Sequence, residues 1–530
     1  MSHSWSVRAY AGISEDAMTD LQKVIHLLAW WLAYDNVNFA FQVFSQRLSN
    51  QSHFDSGTSG SVFVKPHAPQ PPPLSSAALQ EQRRVGRQNP ITLADIAALE
   101  VAAAPRIHTH IVHIVLQTLL DCPEFDLPTY PQRAHDAFAA PPPVDRLPTG
   151  IEGITKQYVL GTVHIDEASY EGTDDLIREW MHQLKLDGAD QRTRTGLERV
   201  LVWVGDHLTV DRLRGLANYC CEDMNGYDRL DWLVVYFGST KGRGLRQAFA
   251  LLNRKGLQNV KIKGVFYHHL HEGILHIAEA RLRDCWRKVG GVEKLSDLRS
   301  RGPEELRTLV EELVRQYASN DAVEGLEALM DGQHDETLRQ SVMWNRDVLY
   351  YILLHGSMQS GDVGMMEDLL PHLLYRFAGG GNHKNFIRRN CWLVNLSGKS
   401  DEFQAIDLVE EHTIKDVKVT YRPKGPNASW QLMKARVPAI PRPAHTSPSK
   451  EADVQRLYEF YKQAGIHDYV PGRNAVDDIK EVVSNGFQVA GSTLLWRWLT
   501  RREVYNRTSS QTWEASNGQR IHVPVTSASA

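Results

Sequence analysis

Cysteine is scarce in this chain: five cysteines stand among 530 residues, and no two of them form a Cys-x-x-Cys pair. This spacing excludes a zinc ribbon, and so few cysteines do not make a disulfide framework. Cys220 and Cys221 are adjacent, which is most simply explained by two reduced residues on a helix. Such usage is typical of an intracellular protein, in which thiols stay reduced.

Long hydrophobic runs are also missing. The chain opens without a basic segment followed by a continuous apolar one, so no signal peptide is predicted. The most apolar stretch, residues 24–34, is interrupted by His26 and is too short to span a bilayer. We therefore expect a soluble intracellular protein with no membrane partner and no small-molecule cofactor.

A strong net charge is absent, since 59 basic and 63 acidic residues leave a formal charge of −4. Binding to DNA would therefore need a local basic patch. Two segments are candidates for that patch: Arg254-Lys255 with Lys261 and Lys263, and Lys384 after a run of three glycines. The simpler alternatives are solvated loop charge for the first segment and a helix stop for the second.

What the chain does contain is mostly helical periodicity, with a few short strand-like runs. Apolar residues recur at three- and four-residue spacing through residues 244–378, whereas residues 30–34 and 200–204 are short apolar runs typical of buried strands. The prediction is an α-rich α/β protein with a small mixed sheet, a large helical insertion and helical extensions. We divide the chain into six parts. Residues 1–64 form a first part of the core, residues 65–150 a Pro-rich excursion with helices, and residues 151–243 a second part of the core. Residues 244–378 are the helical insertion, residues 379–437 complete the core, and residues 438–530 are a linker with terminal helices and a disordered tail.

Local signals place some individual elements. Ser14 is a candidate N-cap for a helix over residues 14–28, and a Gly/Ser-rich turn at residues 56–60 would join two strands of a hairpin. The last twenty or so residues are expected to be disordered. The two strands of the hairpin are predicted at residues 39–44 and 61–64. Two further helices are predicted at residues 93–121 and 172–187.

Acidic residues lie at three junctions between predicted elements and loops. Asp35 follows one apolar run, Asp206 follows another, and Asp362, Glu367 and Asp368 lie together near the start of a predicted helix. Carboxylates that a fold brings together hold divalent metal through hard oxygen ligands, and two such metals carry out phosphodiester cleavage and strand transfer. The alternative is that strands end at loops and that loops commonly carry aspartate.

A dense group of histidines is a second metal candidate. The cluster comprises His268, His269, His271, Glu272 and His276; of these, His268, Glu272 and His276 would share one face of a helix, with Glu279 beside them. The spacing suits zinc, but the His-Glu-x-x-His order of zinc peptidases is absent. A solvated helical face is the favoured interpretation.

Several blocks of sequence occur in combination: Tyr34 to Phe39, Gly57-Thr58 with Val62-Phe63, Gly205 to Thr209, Arg254 to Leu257, Gly361 to Gly364, Gly379 to Asn382, and Glu411 to Lys415 with Gly425 to Trp430. Together these blocks resemble a large family of uncharacterised fungal proteins, abundant in mushroom-forming species, that carry a domain of unknown function. The resemblance covers residues 20–440, roughly, and the blocks are specific only in combination.

By analogy with transposon-derived proteins, the resemblance implies a ribonuclease-H-like core. Asp35 would close the first strand and Asp206 the fourth, the hairpin would supply the second and third, and Glu367 or Asp362 would bring the last ligand on a helix. Under this hypothesis the acids hold two Mg²⁺ or Mn²⁺ ions, the partner is DNA and the protein is nuclear. The alternative is a non-catalytic helical interaction protein whose acids are structural.

Two departures from the family pattern imply a truncated or inactive copy. Phe237 runs directly into Gly238, where the family carries an aromatic-histidine block and a helix. The chain also begins only one helix before Asp35, which leaves little room for an upstream DNA-binding module. The functional hypothesis therefore includes an inactive descendant of such an enzyme.

Overall fold

The computed structural model describes thirteen parts of the chain: residues 3–41, 53–69, 93–146, 155–165, 170–191, 203–205, 251–252, 267–379, 450–474, 483–484, 488, 511–514 and 520–523. At some of these positions, Asp35 among them, the backbone alone is described.

Helices dominate this part of the protein, and a small sheet accompanies them, as predicted. The longer elements in chain order are α1 His3–Val24, β1 Leu28–Phe41, β2 His53–Pro69, α2 Leu93–Leu120, β3 Lys156–Val159, α3 Tyr170–Gln183, β4 Trp203–Gly205, α4 Tyr267–Gly290, α5 Pro303–Tyr317, α6 Asn320–Glu327, α7 Glu336–Ser360, α8 Val363–Gly379, α9 Lys450–Ala464, β5 Gln511–Glu514 and β6 Arg520–Val523. Short 3₁₀ helices lie at Leu127–Thr129, Asp136–Phe138 and Leu295–Ser300.

The main sheet has four described strands in the order β3-β2-β1-β4. β2 pairs antiparallel with β1 on one side and with β3 on the other. β4 pairs parallel with β1, and Gly205 lies opposite Tyr34. β4 corresponds to the strand predicted at residues 200–204, of which residues 200–202 lie outside the described part.

The predicted hairpin is wrong in its detail. β1 continues unbroken to Phe41, and the Gly/Ser-rich residues 56–60, predicted as a turn, lie within β2. The glycines are there because neighbours come close to the strand. A Cβ at Gly57 would lie 2.7 Å from the carbonyl oxygen of Val163, and one at Gly60 would lie 3.0 Å from Cζ2 of Trp180.

The first helix is also longer than the sequence suggested. α1 begins at His3, so Ser14 lies inside the helix and is not its N-cap. Residues 3–13 contain no proline, and the helix extends through them because nothing there stops it.

One face of the sheet buries a core of its own against α1 and α3. Leu21 of α1, Ile25 directly after that helix, Leu32 of β1, Val62 of β2 and Trp180 of α3 are all at most 1% exposed. The burial of apolar side chains from both strands and both helices fixes the position of the sheet against α1 and α3.

The remaining long helices share a second, larger core, to which α2, α4, α5, α7, α8 and α9 all contribute. Trp286 of α4 is fully buried there and donates its indole N–H to the carbonyl oxygen of Val115 in α2, at 3.0 Å. α2 contains Pro105 and α8 contains Pro371. The helices predicted at residues 93–121 and 172–187 are confirmed with small shifts of their ends, as is the helical nature of the described residues 267–379.

The tail carries a feature that the sequence analysis missed. Residues expected to be disordered include β5 and β6, which pair antiparallel with Gln511 opposite Val523. The sequence between them contains Asn517-Gly518, a dipeptide typical of tight hairpin turns. Over the described ranges, no helix combines the length and apolarity needed to cross a membrane.

Candidate functional site

The candidate site starts at Tyr34, where β1 contacts strands on both sides. Tyr34 lies opposite Gly60 of β2 and opposite Gly205 of β4. Its buried ring packs edge-on against Trp180 of α3, with 4.9 Å between ring centroids and 61° between planes. Helix α3 therefore holds the sheet at the point where the parallel pair forms.

Asp35 is the next residue of β1 and lies opposite Ser59 of β2. It was predicted to close a strand, but β1 continues for six residues beyond it because the ladder with β2 runs on to Phe41. Asp206 follows Gly205, the last residue of β4, in the sequence and lies outside the described residues. The residues that immediately precede the two acids are thus partners in the parallel ladder.

Asp362 stands at the start of α8, far along the chain from the sheet. Its carboxylate accepts hydrogen bonds from the main-chain N–H groups of Val144 (3.1 Å), Asp145 (3.0 Å) and Met365 (3.1 Å). The bond to Met365 is that of an N-cap, and the other two attach the loop at residues 144–146 to the helix. Asp362 is 4% exposed, and its hydrogen bonds already give it a structural role.

Glu367 lies one turn further along α8 and has a different environment. Burial raises the pKa of its carboxyl group above the ordinary value, and the negative charges of Asp145 and Asp368 add to that increase. Asp368 itself is bound by Arg106 of α2, with two hydrogen bonds of 2.6 Å. Glu367 is therefore a half-buried acid with acidic neighbours, and nearby positive charge would favour its ionised form.

The predicted meeting of these acids stays a prediction. Asp206 is outside the described part, and Asp35 is described by its backbone alone. Within the described part, no group of three or more histidine, cysteine or acidic side chains is arranged to hold a metal ion.

The predicted DNA-binding residues Arg254, Lys255, Lys261, Lys263 and Lys384 all lie outside the described residues. Basic residues in and just before α5, by contrast, are paired with acids three or four residues away, which lowers the positive potential there. The pairs are Arg301 with Glu305, Arg307 with Glu311, and Arg315 with Glu312.

The histidine cluster of α4 is more buried than predicted. His276 is 5% exposed and lies between Asp453 of α9, 3.6 Å from its Nδ1, and Glu272, 4.0 Å from its Nε2. His271 hydrogen-bonds to the hydroxyl of Tyr351 at 2.5 Å. The expectation of a solvated helical face is wrong at His276, because α9 packs over that face of α4.

Sequence reasoning missed a buried polar network that joins α4, α7 and the loop after α9. Asp284 and His467, both fully buried, form a hydrogen bond of 2.8 Å, and Asp335 accepts hydrogen bonds from Arg473 and from the N-terminus of α7. The partners in these contacts are separated by 183 and 138 residues along the chain. Such distant pairings leave no local signal in a sequence.

Comparison with known proteins assigns the chain to a family without assigning a function. The protein belongs to the Family of unknown function (DUF6589), which matches residues 86–455. Searches among curated proteins and among solved structures found no match. The family match starts after β2 and ends inside α9.

Proposed function

We propose that the protein is a divalent-metal-dependent phosphodiester enzyme, nuclease- or transposase-like, or an inactive descendant of one. Asp35, Asp206 and Glu367 would hold two Mg²⁺ or Mn²⁺ ions, and DNA would be the substrate. One observation carries the proposal: β4 pairs parallel with β1 in a register that sets Gly205 against Tyr34. Asp35 and Asp206 are each the next residue after that pair.

The strand order supports a ribonuclease-H-like core. That analogy requires a first strand paired antiparallel with a second, a third beside the second, and a fourth parallel to the first. The sheet has the order β3-β2-β1-β4 with those directions, and α3 lies between β3 and β4 in sequence. The transposon and fungal origins that the resemblance implies are part of the same proposal, as are DNA binding by Arg254, Lys255, Lys261, Lys263 and Lys384 and a nuclear location.

Glu367 is a better third ligand than Asp362. The Asp362 carboxylate already accepts three main-chain hydrogen bonds, and binding a cation would break some of them. Glu367 carries a charge that its surroundings oppose, as its raised pKa indicates. Carboxylate oxygens are ligands that Mg²⁺ and Mn²⁺ accept.

In this proposal the protein's own residues hold and orient the reacting groups. The acids fix the positions of the cations, which when bound activate water or a 3′-hydroxyl and stabilise the leaving oxygen. Tyr34 and Trp180 keep the β1–β4 pair at a fixed distance from α3.

The experiment measures Mn²⁺ binding by electron paramagnetic resonance and nicking of supercoiled DNA. We expect the wild type to do both, and expect Asp206→Asn and Glu367→Gln to lower nicking by at least about 100-fold. Without metal, Glu367→Gln should unfold at a higher temperature than the wild type at pH 7, because it removes a charge that the fold disfavours. Glu324→Gln, an exposed acid of α6, is the matched control and should behave as the wild type.

The other outcomes separate the alternatives. Mn²⁺ binding without nicking would identify an inactive descendant. A wild-type protein that neither binds Mn²⁺ nor nicks DNA would exclude the enzyme and support the second candidate, a helical interaction protein. That candidate is favoured by the paired charges of α5 and by the structural role of Asp362.

A further inference from the structure

Residues 465–474, here called the strap, connect α9 to the start of α7. Arg473 donates two hydrogen bonds to the carboxylate of Asp335, at 2.9 and 2.8 Å, and the main-chain N–H of Val470 donates to the same carboxylate at 2.6 Å. Asp335 is also the N-cap of α7, since it accepts from the N–H of Leu338. The strap is therefore an ordered part of the helical core.

His467 anchors the middle of the strap and is fully buried. Its Nδ1 lies 2.8 Å from Oδ2 of Asp284, and its Nε2 lies 3.2 Å from Nδ2 of Asn345. Oδ1 of Asn345 accepts from Nε of Arg281, and Nδ2 donates to the carbonyl oxygen of Tyr317, each at 3.2 Å. The amide of Asn345 thus presents an N–H to His467.

These contacts determine the protonation state of His467. Nε2 must accept the N–H of Asn345, so the ring proton is on Nδ1 and is donated to Asp284. The imidazole is neutral in this arrangement. A second proton, on Nε2, would face the amide nitrogen of Asn345 and find no acceptor there.

The charges around His467 act in both directions: Asp284 favours a second proton, whereas Arg281 and Lys288 oppose it. Asp284 is the only acid that bonds to the ring among the described residues, and it already accepts from Arg287 at 2.8 Å. Arg281 and Lys288 of the same helix add positive charge, with Lys288 paired to Asp468 of the strap. Cys285 of α4 is buried beside this network, and the ring of Tyr317 from α5 lies edge-on to the imidazole.

We propose that His467 is an acid-sensitive latch: protonation of its Nε2 releases the strap from α4 and α7. Burial lowers the pKa of His467 despite the opposing charge of Asp284, which agrees with the geometry. His276 works in the opposite direction, because protonation there would strengthen its contacts with Asp453 and Glu272. We therefore expect α9 to stay in place when the strap is released.

Hydrogen exchange of the full-length protein at pH 7.5 and pH 5.5 tests the latch. Relative to intrinsic rates, the wild-type strap should lose about tenfold in protection between the two values, since free histidine titrates near pH 6.5. Residues 303–313 of α5 should keep their protection and serve as the internal reference, since Tyr317 at the end of that helix contacts the network itself. An unchanged strap, or an equal loss in α5, would overturn the proposal.

Two variants identify the group responsible. His467→Gln retains a donor for Asp284 but does not titrate, so its strap protection should be equal at both pH values. Asn345→Asp offers an acceptor to a protonated Nε2 and should make the strap better protected at pH 5.5 than at pH 7.5. His108→Gln, at an exposed histidine of α2, should keep the wild-type loss. If His467→Gln and Asn345→Asp both show the wild-type loss, another group is the sensor and the latch is ruled out.

Discussion

Two carboxylates near the start of α8, those of Asp362 and Glu367, lie in opposite environments. The Asp362 carboxylate is surrounded by three main-chain donors, whereas no hydrogen bond stabilises the charge of Glu367 within the described part. Hydrogen bonds to an ionised acid favour it, and burial beside other acids disfavours it. The donors around an acid, more than its place in the sequence, therefore separate the structural residue from the candidate ligand.

At this scale we predict the cost of losing Asp362. Asp362→Ala should lower the free energy of unfolding by about 2–4 kcal/mol, since it removes an N-cap and leaves two further N–H groups without an acceptor. Asp362→Asn keeps one acceptor oxygen and should cost about half as much. Urea unfolding of both variants measures the difference. A loss below about 0.5 kcal/mol for the alanine variant would show that the loop at residues 144–146 does not depend on this carboxylate.

At the scale of elements, the contact between β2 and α3 depends on the absence of a side chain at residue 60. Gly60→Ala would place a Cβ 3.0 Å from Trp180 and 3.3 Å from Leu160. We expect a loss of about 1–3 kcal/mol, because this core is closely packed and the indole cannot move freely. Chemical unfolding followed by tryptophan fluorescence is the measurement.

A paired variant tests the reason for that loss. Trp180→Leu should be destabilising alone, but Gly60→Ala should cost less in its background, because the smaller side chain leaves room for the methyl group. Equal costs in both backgrounds would mean that the alanine acts on the strand backbone and not through the indole.

The elements also show which parts of the fold could be read from sequence. Helix α2 was predicted within one residue at its C-terminal end, because its buried residues such as Ile107, Ile111 and Val115 repeat at helical spacing. Gly57 and Gly60 indicated a turn but lie within β2, since glycine is favoured both in turns and where a neighbour closely approaches a strand. β3, which completes the antiparallel part of the sheet, pairs with β2 from almost 100 residues away and gave no local signal.

In the candidate site, too, some features could be predicted from the sequence and others could not. Runs of apolar residues that end in Asp35 and Asp206 indicated two strands, and the structure pairs the described parts of both, β1 and β4, in parallel. The role of Asp362 could not be predicted, because its partners Val144 and Asp145 are more than 200 residues away. The latch at His467 was hidden for the same reason.

At the scale of the whole molecule, the family match ends at residue 455, but the helical core does not. Leu457, Tyr458 and Tyr461 of α9 are buried in that core, and the strap attaches beyond them to α7. Three such side chains contribute about 5–9 kcal/mol of burial, which is comparable to the stability of an entire domain. The structural unit therefore extends at least to residue 474.

This extension predicts the behaviour of shortened chains. Residues 1–474 should unfold in one cooperative thermal transition for the helical core, as in the full chain, whereas residues 1–455 should lose that transition and associate through the exposed core. Circular dichroism and size-exclusion chromatography compare the three. If the chain ending at residue 455 stays monomeric and unfolds within a few degrees of the longer one, α9 and the strap are dispensable additions.

The proline inside α8 has an electrostatic consequence for the helix. Pro371 has no N–H, so the main-chain oxygen four residues earlier, that of Glu367, loses the donor that a helix normally supplies. The carbonyl that lacks its helical donor therefore belongs to the same half-buried residue whose carboxyl pKa is raised. The second turn of α8 thus concentrates negative charge at a place where an uninterrupted helix would pair the carbonyl oxygen with an N–H.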